Sequence, residues 1–146
     1  MPSQLSTIGI NGAGVDLTPR VTKTSTVIGS PALAAETIVA TTPAFDTSVP
    51  IVVGCLVIAE IAYTLGTSAA SARVRIRQGT GTSGTVVYDS GAMTGGHNSA
   101  GLLVADSGGG FDLAAAAGQQ YTLTLQIGSG AAASTVSIVS LVAIAF

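Results

Sequence analysis

Charge is scarce in this chain. Of 146 residues, five are Lys or Arg and seven are Asp or Glu, 8% in all, against about 25% in an ordinary soluble domain. The hydrophobic share, 47%, is ordinary. The mean hydropathy of +0.63 therefore reflects charge replaced by Gly, Ala, Ser and Thr. A net charge of −2 and a pI near 4.9 do not suit phosphate binding, which excludes an electrostatic nucleic-acid binder. Disorder needs low hydrophobicity with high net charge, and the chain has neither. Tryptophan is absent, and Tyr and Phe number three each. That is too few for the aromatic girdles of an outer-membrane barrel, the class that the terminal SIVSLVAIAF would otherwise fit. A single cysteine, Cys55, excludes an internal disulfide and sits in the apolar run 51–65, the setting of a buried, inert thiol. A single histidine, His97, has no neighbouring Cys or carboxylate pair, so it makes no zinc site. The first twenty residues carry neither a basic segment nor an apolar one, so no secretory signal is expected.

What is present is period-two alternation. Tyr121, Leu123, Leu125 and Ile127 point one way and Gln120, Thr122, Thr124 and Gln126 the other, a half-buried strand. Residues 71–78 set Val74 and Ile76 against Arg73, Arg75 and Arg77. Further strands are expected at 21–28, 36–42, 51–65, 85–88, 101–105 and 135–146, separated by Gly, Ser, Pro and Asp clusters. The run 49–65 contains Pro50, Gly54 and Glu60 and is rich in Val and Ile, so it reads as a strand rather than a membrane helix. Two strands carry apolar residues on both faces. In one, Leu56 and Ile58 share a face with Glu60, opposite Val57, Ala59, Ile61 and Tyr63. In the last, Val136, Ile138, Val142, Ile144 and Phe146 oppose Val139 and Leu141. Such strands are either central in a sheet or covered by a neighbouring subunit. Residues 113–118 are helix-like but too short to count.

Eight strands imply one all-β domain over residues 20–146, an eight-stranded β-sandwich of jelly-roll type. Residues 1–19 show no periodicity beyond an Asn11-Gly12 turn signal and are expected to form an extended N-terminal arm.

Chemical motifs fail on context. Gly79-Thr80-Gly81-Thr82-Ser83-Gly84 matches GxGxxG, but a strand follows it where a dinucleotide site needs a helix N-terminus. Asp106-Ser107-Gly108-Gly109 looks like the serine-protease nucleophile segment, but its base would have to be His97, in the same loop region. Asp106 and Asp112 are too few ligands for calcium. No base–nucleophile pair, metal cluster or cofactor loop remains, so neither enzymatic activity nor a cofactor is expected. The Arg73, Arg75, Arg77 row stands out, with Glu60 within reach if the preceding strand forms a hairpin with it. It reads equally as a solvated face or as a row that meets carboxylates of a partner.

A surface this poor in charge favours association. The low-charge composition, the hairpin SARVRIRQGTGTSGTVVYDSG and the terminal STVSIVSLVAIAF resemble the small head decoration, or cement, proteins of tailed bacteriophages. That resemblance implies a structural virion protein, made in the host cytoplasm, that binds the outer capsid lattice as a homo-oligomer and reinforces it. The expected partners are itself and a major capsid protein, with no nucleic acid and no membrane. The expected interface residues are Arg73, Arg75, Arg77, Glu60, Leu56, Ile58, Val139 and Leu141. A phage-fibre or carbohydrate-recognition module is the alternative. Its aromatic candidates are Tyr63, Tyr88, Tyr121, Phe45 and Phe111.

Overall fold

The computed structural model describes residues 8–10, 13–15, 19–28, 35–64, 71–93, 103–128 and 135–146. Each of the eight expected segments forms a strand: β3 (Arg20–Ile28), β4 (Thr37–Thr41), β5 (Cys55–Thr64), β6 (Ala72–Gln78), β7 (Val86–Asp89), β8 (Leu103–Asp112), β9 (Tyr121–Ile127) and β10 (Thr135–Ala145). Within the N-terminal segment, β1 (Ile8–Ile10) pairs with β2 (Ala13–Val15). These two stand apart from the sandwich sheets and flank the Asn11-Gly12 dipeptide.

The eight strands make two antiparallel sheets, in the orders β3-β10-β5-β8 and β4-β9-β6-β7. The topology follows from one long hairpin. β6 pairs with β7, β5 with β8, β4 with β9 and β3 with β10, so the chain doubles back on itself around the glycine-rich 79–84 segment. Two further ladders, β10 with β5 and β6 with β9, zip the doubled ribbon into two sheets. This is the jelly roll. The GxGxxG segment is its tip.

Between the sheets lies one apolar core. Tyr121, Leu123, Leu125 and Ile127 of β9 meet Val57, Ala59, Ile61 and Tyr63 of β5, and all of them are buried. Strand β10 is central in its sheet, the first of the two alternatives for a strand apolar on both faces. Its face assignment needs one correction. The register slips between Val136 and Val139, and a bulge of this kind moves later side chains to the other face. Val136 therefore lies buried with Val139, Leu141 and Ala143, not opposite them.

The glycine-rich 107–110 stretch, expected to be a turn, is the middle of β8. Its inward positions are Val104, Asp106, Gly108, Gly110 and Asp112, as the alternation of burial shows. Strand β7 of the other sheet packs across it. A Cβ on Gly108 would fall 2.2 Å from the Tyr88 ring, and one on Gly110 would fall 2.4 Å from the Val87 carbonyl oxygen. Glycine lets the two sheets close along this edge. Residues 113–118 form turns, not a helix. No helix among the described residues is long and apolar enough to cross a membrane.

Candidate interaction surfaces

The two outer faces of the sandwich differ in kind. On β6, Arg73, Arg75 and Arg77 point outward while Val74 and Ile76 enter the core. Their partners come from this chain. Arg77 grips Glu36, Nε to Oε1 at 2.6 Å and Nη2 to Oε2 at 2.9 Å. Arg75 donates from Nη1 to Glu36 Oε2 at 2.9 Å and from Nε to Asp89 Oδ2 at 3.1 Å. Arg73 binds Asp89 with both Nε and Nη2. Thr124 Oγ1 donates to Glu36 Oε1 at 2.6 Å, and Gln126 accepts from Arg75. Glu36 precedes β4, Asp89 ends β7 and Thr124 is on β9, so the network ties all four strands of this sheet together.

This layer is a lid. Thr122 and Thr124, on the side of β9 expected to face solvent, are fully buried under it. The guanidinium of Arg77 holds the Glu36 carboxyl below the usual carboxylate range against the opposing effect of burial. Arg73 does the same for Asp89, more strongly. Carboxyl pKa values lowered by folding contribute stability that is complete above their unfolded values and is lost as pH falls through the folded ones. The melting temperature should therefore hold between about pH 7 and pH 5 and decline below about pH 4. Glu36→Gln should flatten that decline, and equal acid slopes in the two proteins would contradict the network's role.

Glu60 takes no part. β5 and β6 lie in different sheets, so Glu60 is on the opposite outer face from the arginine row. Val139 and Leu141, expected at an interface, are fully buried in this chain's own core. Leu56 and Ile58 do lie outward with Glu60, and Ile58 is 43% exposed.

That second face is apolar. Pairing aligns Val21, Ile144, Leu56 and Phe111 in one row across all four strands. The next row is Lys23, Val142, Ile58 and Gly109, and the row beyond it contains Ser140, Glu60 and Ser107. Val21 is 61% and Phe111 46% exposed, and Val52 and Val53 are exposed as well; their amides both donate to the Phe146 carbonyl at 2.9 Å. Val21 and Lys23 were not singled out from the sequence, and Phe111 was expected only as a sugar-binding aromatic. Only the register, set by residues far apart in the chain, brings them to Ile58.

Other candidates resolve into structure. Asp106 and Asp112 lie six residues apart on β8, roughly 20 Å at strand spacing, and cannot share a cation. Asp106 accepts from the Tyr63 hydroxyl at 3.1 Å and Asp112 from the Tyr121 hydroxyl at 2.8 Å. Burial, with those carboxylates beside them, pushes both phenols up from their ordinary pKa. No group of three or more metal-ligating side chains occurs among the described residues. His97 lies outside them. Cys55 is buried and its thiol pKa is raised by that burial. Of the aromatic candidates for sugar binding, Tyr63, Tyr121 and Phe45 are core residues and Tyr88 is held against Gly108. A cavity of about 30 Å³ beside Tyr88 is room for about one water. An open recess of about 290 Å³ lies between Glu60 and Asp106, at the small end for a ligand site.

No protein-family profile matches the chain, and no curated protein matches it in sequence. Solved structures do resemble its fold. VP2 of infectious bursal disease virus, in a subviral particle, superposes with a TM-score of 0.52 at 11% identity, over 97% of this chain and 36% of that one. The Gx strain of the same virus gives 0.50 at 13% identity, over 93% and 37%. The Eiger TNF of S. frugiperda gives 0.50 at 8% identity, over 86% and 85%. The chain thus spans little more than a third of the viral chains it matches. At these identities the likeness is one of fold, and it agrees with the jelly-roll topology read from the strand order.

Proposed function

We propose that the protein is a non-enzymatic structural component of a virus particle, one that associates with itself and reinforces the outer capsid lattice, in the manner of the tailed-phage decoration proteins. The observation that carries this reading is the unequal pair of outer faces. One sheet is closed off by an arginine–carboxylate layer whose partners all come from the same chain. The other presents the apolar row Val21, Ile144, Leu56 and Phe111, with no ion-pair layer over it among the described residues. The jelly roll alone does not choose between a particle protein and a protein such as the Eiger TNF neighbour. The scarcity of charge favours the particle, because a freely diffusing domain needs charge to stay soluble. Of the aromatic candidates for the carbohydrate alternative only Phe111 is exposed, and its row neighbours Leu56, Ile144 and Val21 are apolar.

The test uses particles of the virus that encodes the chain, grown with and without its gene. Particles lacking the protein should rupture at lower temperature and under milder osmotic shock. Equal robustness would overturn the reinforcing role.

A further inference from the structure

Almost every charged side chain among the described residues is occupied within the chain. Arg73, Arg75, Arg77, Glu36 and Asp89 form the lid described above. Arg20 donates to the carbonyls of Val49 and Pro50. Asp46 accepts from Ser48, Asp106 from Tyr63, and Asp112 from Tyr121 and Gln78. Two side chains have no ion pair or side-chain hydrogen bond: Lys23 and Glu60. Both are exposed, carry opposite charge and lie on the same outer face, that of β3-β10-β5-β8. They flank the apolar rows, Lys23 on β3 and Glu60 on β5, with β10 between them.

We infer that this face is the contact between two copies of the chain, packed sheet on sheet about a two-fold axis, with Lys23 of each copy meeting Glu60 of the other. The register makes the arrangement self-complementary. Lys23 pairs across to Val142 and Glu60 to Ser140, so the two charges are offset by two strands and one row of side chains, roughly 12 Å at standard strand spacing. An axis parallel to the sheet that crosses β10 at the level of Leu141 exchanges them. The same rotation lays Ile144 of one copy over Gly109 of the other and sets Val142 beside Ile58. The strands of the two copies then cross at about 70°, within the orthogonal class of sheet packing. A two-fold contact of this kind uses each residue pair twice.

The area sets the expected strength. Four strands and three rows project to roughly 400 Å², below the ~800 Å² per partner of a standard stable interface. The contact is therefore expected to be a weak, reversible dimer rather than an obligate one. The inference deepens the self-association part of the virion reading. It is tested on the isolated protein, so it stands or falls separately from the effect on particles.

The experiment is sedimentation velocity of the full chain from about 1 to 200 μM, the range in which a weak, reversible dimer is read. The wild type should pass from monomer to dimer. Lys23→Glu and Glu60→Lys should each weaken the dimer at least about tenfold, because each reversal sets two like-charged pairs against each other. The double reversal should restore association to within about threefold of wild type. Ile58→Asp should leave a folded monomer, as judged by an unchanged β-sheet circular dichroism spectrum. A wild type that stays monomeric throughout would overturn the inference and assign the face to a different protein or to the chain's own residues 1–18. A double reversal no better than the single ones would overturn it as well, since a partner other than a second copy cannot be rescued that way. A closed trimer would contradict the two-fold axis.

Discussion

Glu36→Ala should destabilise the fold by about 3 kcal/mol, the usual cost of removing one member of a buried ion pair. One carboxylate here accepts from Arg75, Arg77 and Thr124. Its side chain is 16% exposed, and those of Arg75 and Arg77 are 11% and 15%. Without Glu36, Arg77 keeps, among the described residues, only the Gly84 carbonyl, and Arg75 keeps Asp89 and Gln126. Two guanidiniums would then face each other with one fewer counter-charge. The loss should also loosen the attachment of β4, because Glu36 is the bond between the start of that strand and β6. By contrast, disrupting the outer pair through Arg73→Ala should cost much less, since Arg73 is 40% exposed and exposed pairs contribute little. Urea unfolding of the two variants checks the contrast. Equal losses would show that burial of the network is not what gives it strength.

Gly110→Ala should cost about 3 kcal/mol, at the upper end for overpacking a filled core. The new Cβ would fall 2.4 Å from the backbone oxygen of Val87. Neither β7 nor β8 can yield there without opening the edge where the two sheets meet. Gly108→Ala is the informative comparison. Its new Cβ would meet the Tyr88 ring at 2.2 Å, and a side chain can move where backbone cannot. Its cost should be smaller, and Tyr88→Ala in the same molecule should remove most of the Gly108→Ala penalty. No comparable second substitution should rescue Gly110→Ala. Thermal unfolding of the four proteins separates the cases, and rescue of both glycine variants by Tyr88→Ala would contradict the assignment of the backbone clash.

These two sites also mark where the sequence was readable and where it was not. Strands β5, β6 and β9 were legible because their inward positions are apolar and alternate with Arg, Thr and Gln. Strand β8 was legible only at its start. Its inward positions after Val104 are Asp106, Gly108, Gly110 and Asp112, which look like a turn when read locally. They are small because Tyr88 and Val87 press on them, and acidic because Tyr63 and Tyr121 place hydroxyls there. All four of those partners lie 9 or more residues away, on three other strands. The arginine row was visible, but its carboxylates were not. Glu60 is nearer to it in sequence than Glu36, yet the jelly roll sends β5 to one sheet and β6 to the other while β9 brings β4 alongside. The bulge near Val136 hid in the same way, since a one-residue slip leaves no mark on composition. Of the outer apolar face, Leu56 and Ile58 were expected. Val21, Lys23 and Phe111 joined them only through the register of β3, β10 and β8.

In the proposed virion role, one sheet face is closed by the chain's own charges and the other meets a partner. Hydroxyl-radical footprinting of the protein, dilute and then assembled, measures this directly. On assembly, oxidation should fall at Val21, Ile58 and Phe111 and stay unchanged at Arg73 and Gln126. Protection that appears on the arginine face instead, with Ile58 and Phe111 still reactive, would contradict the account.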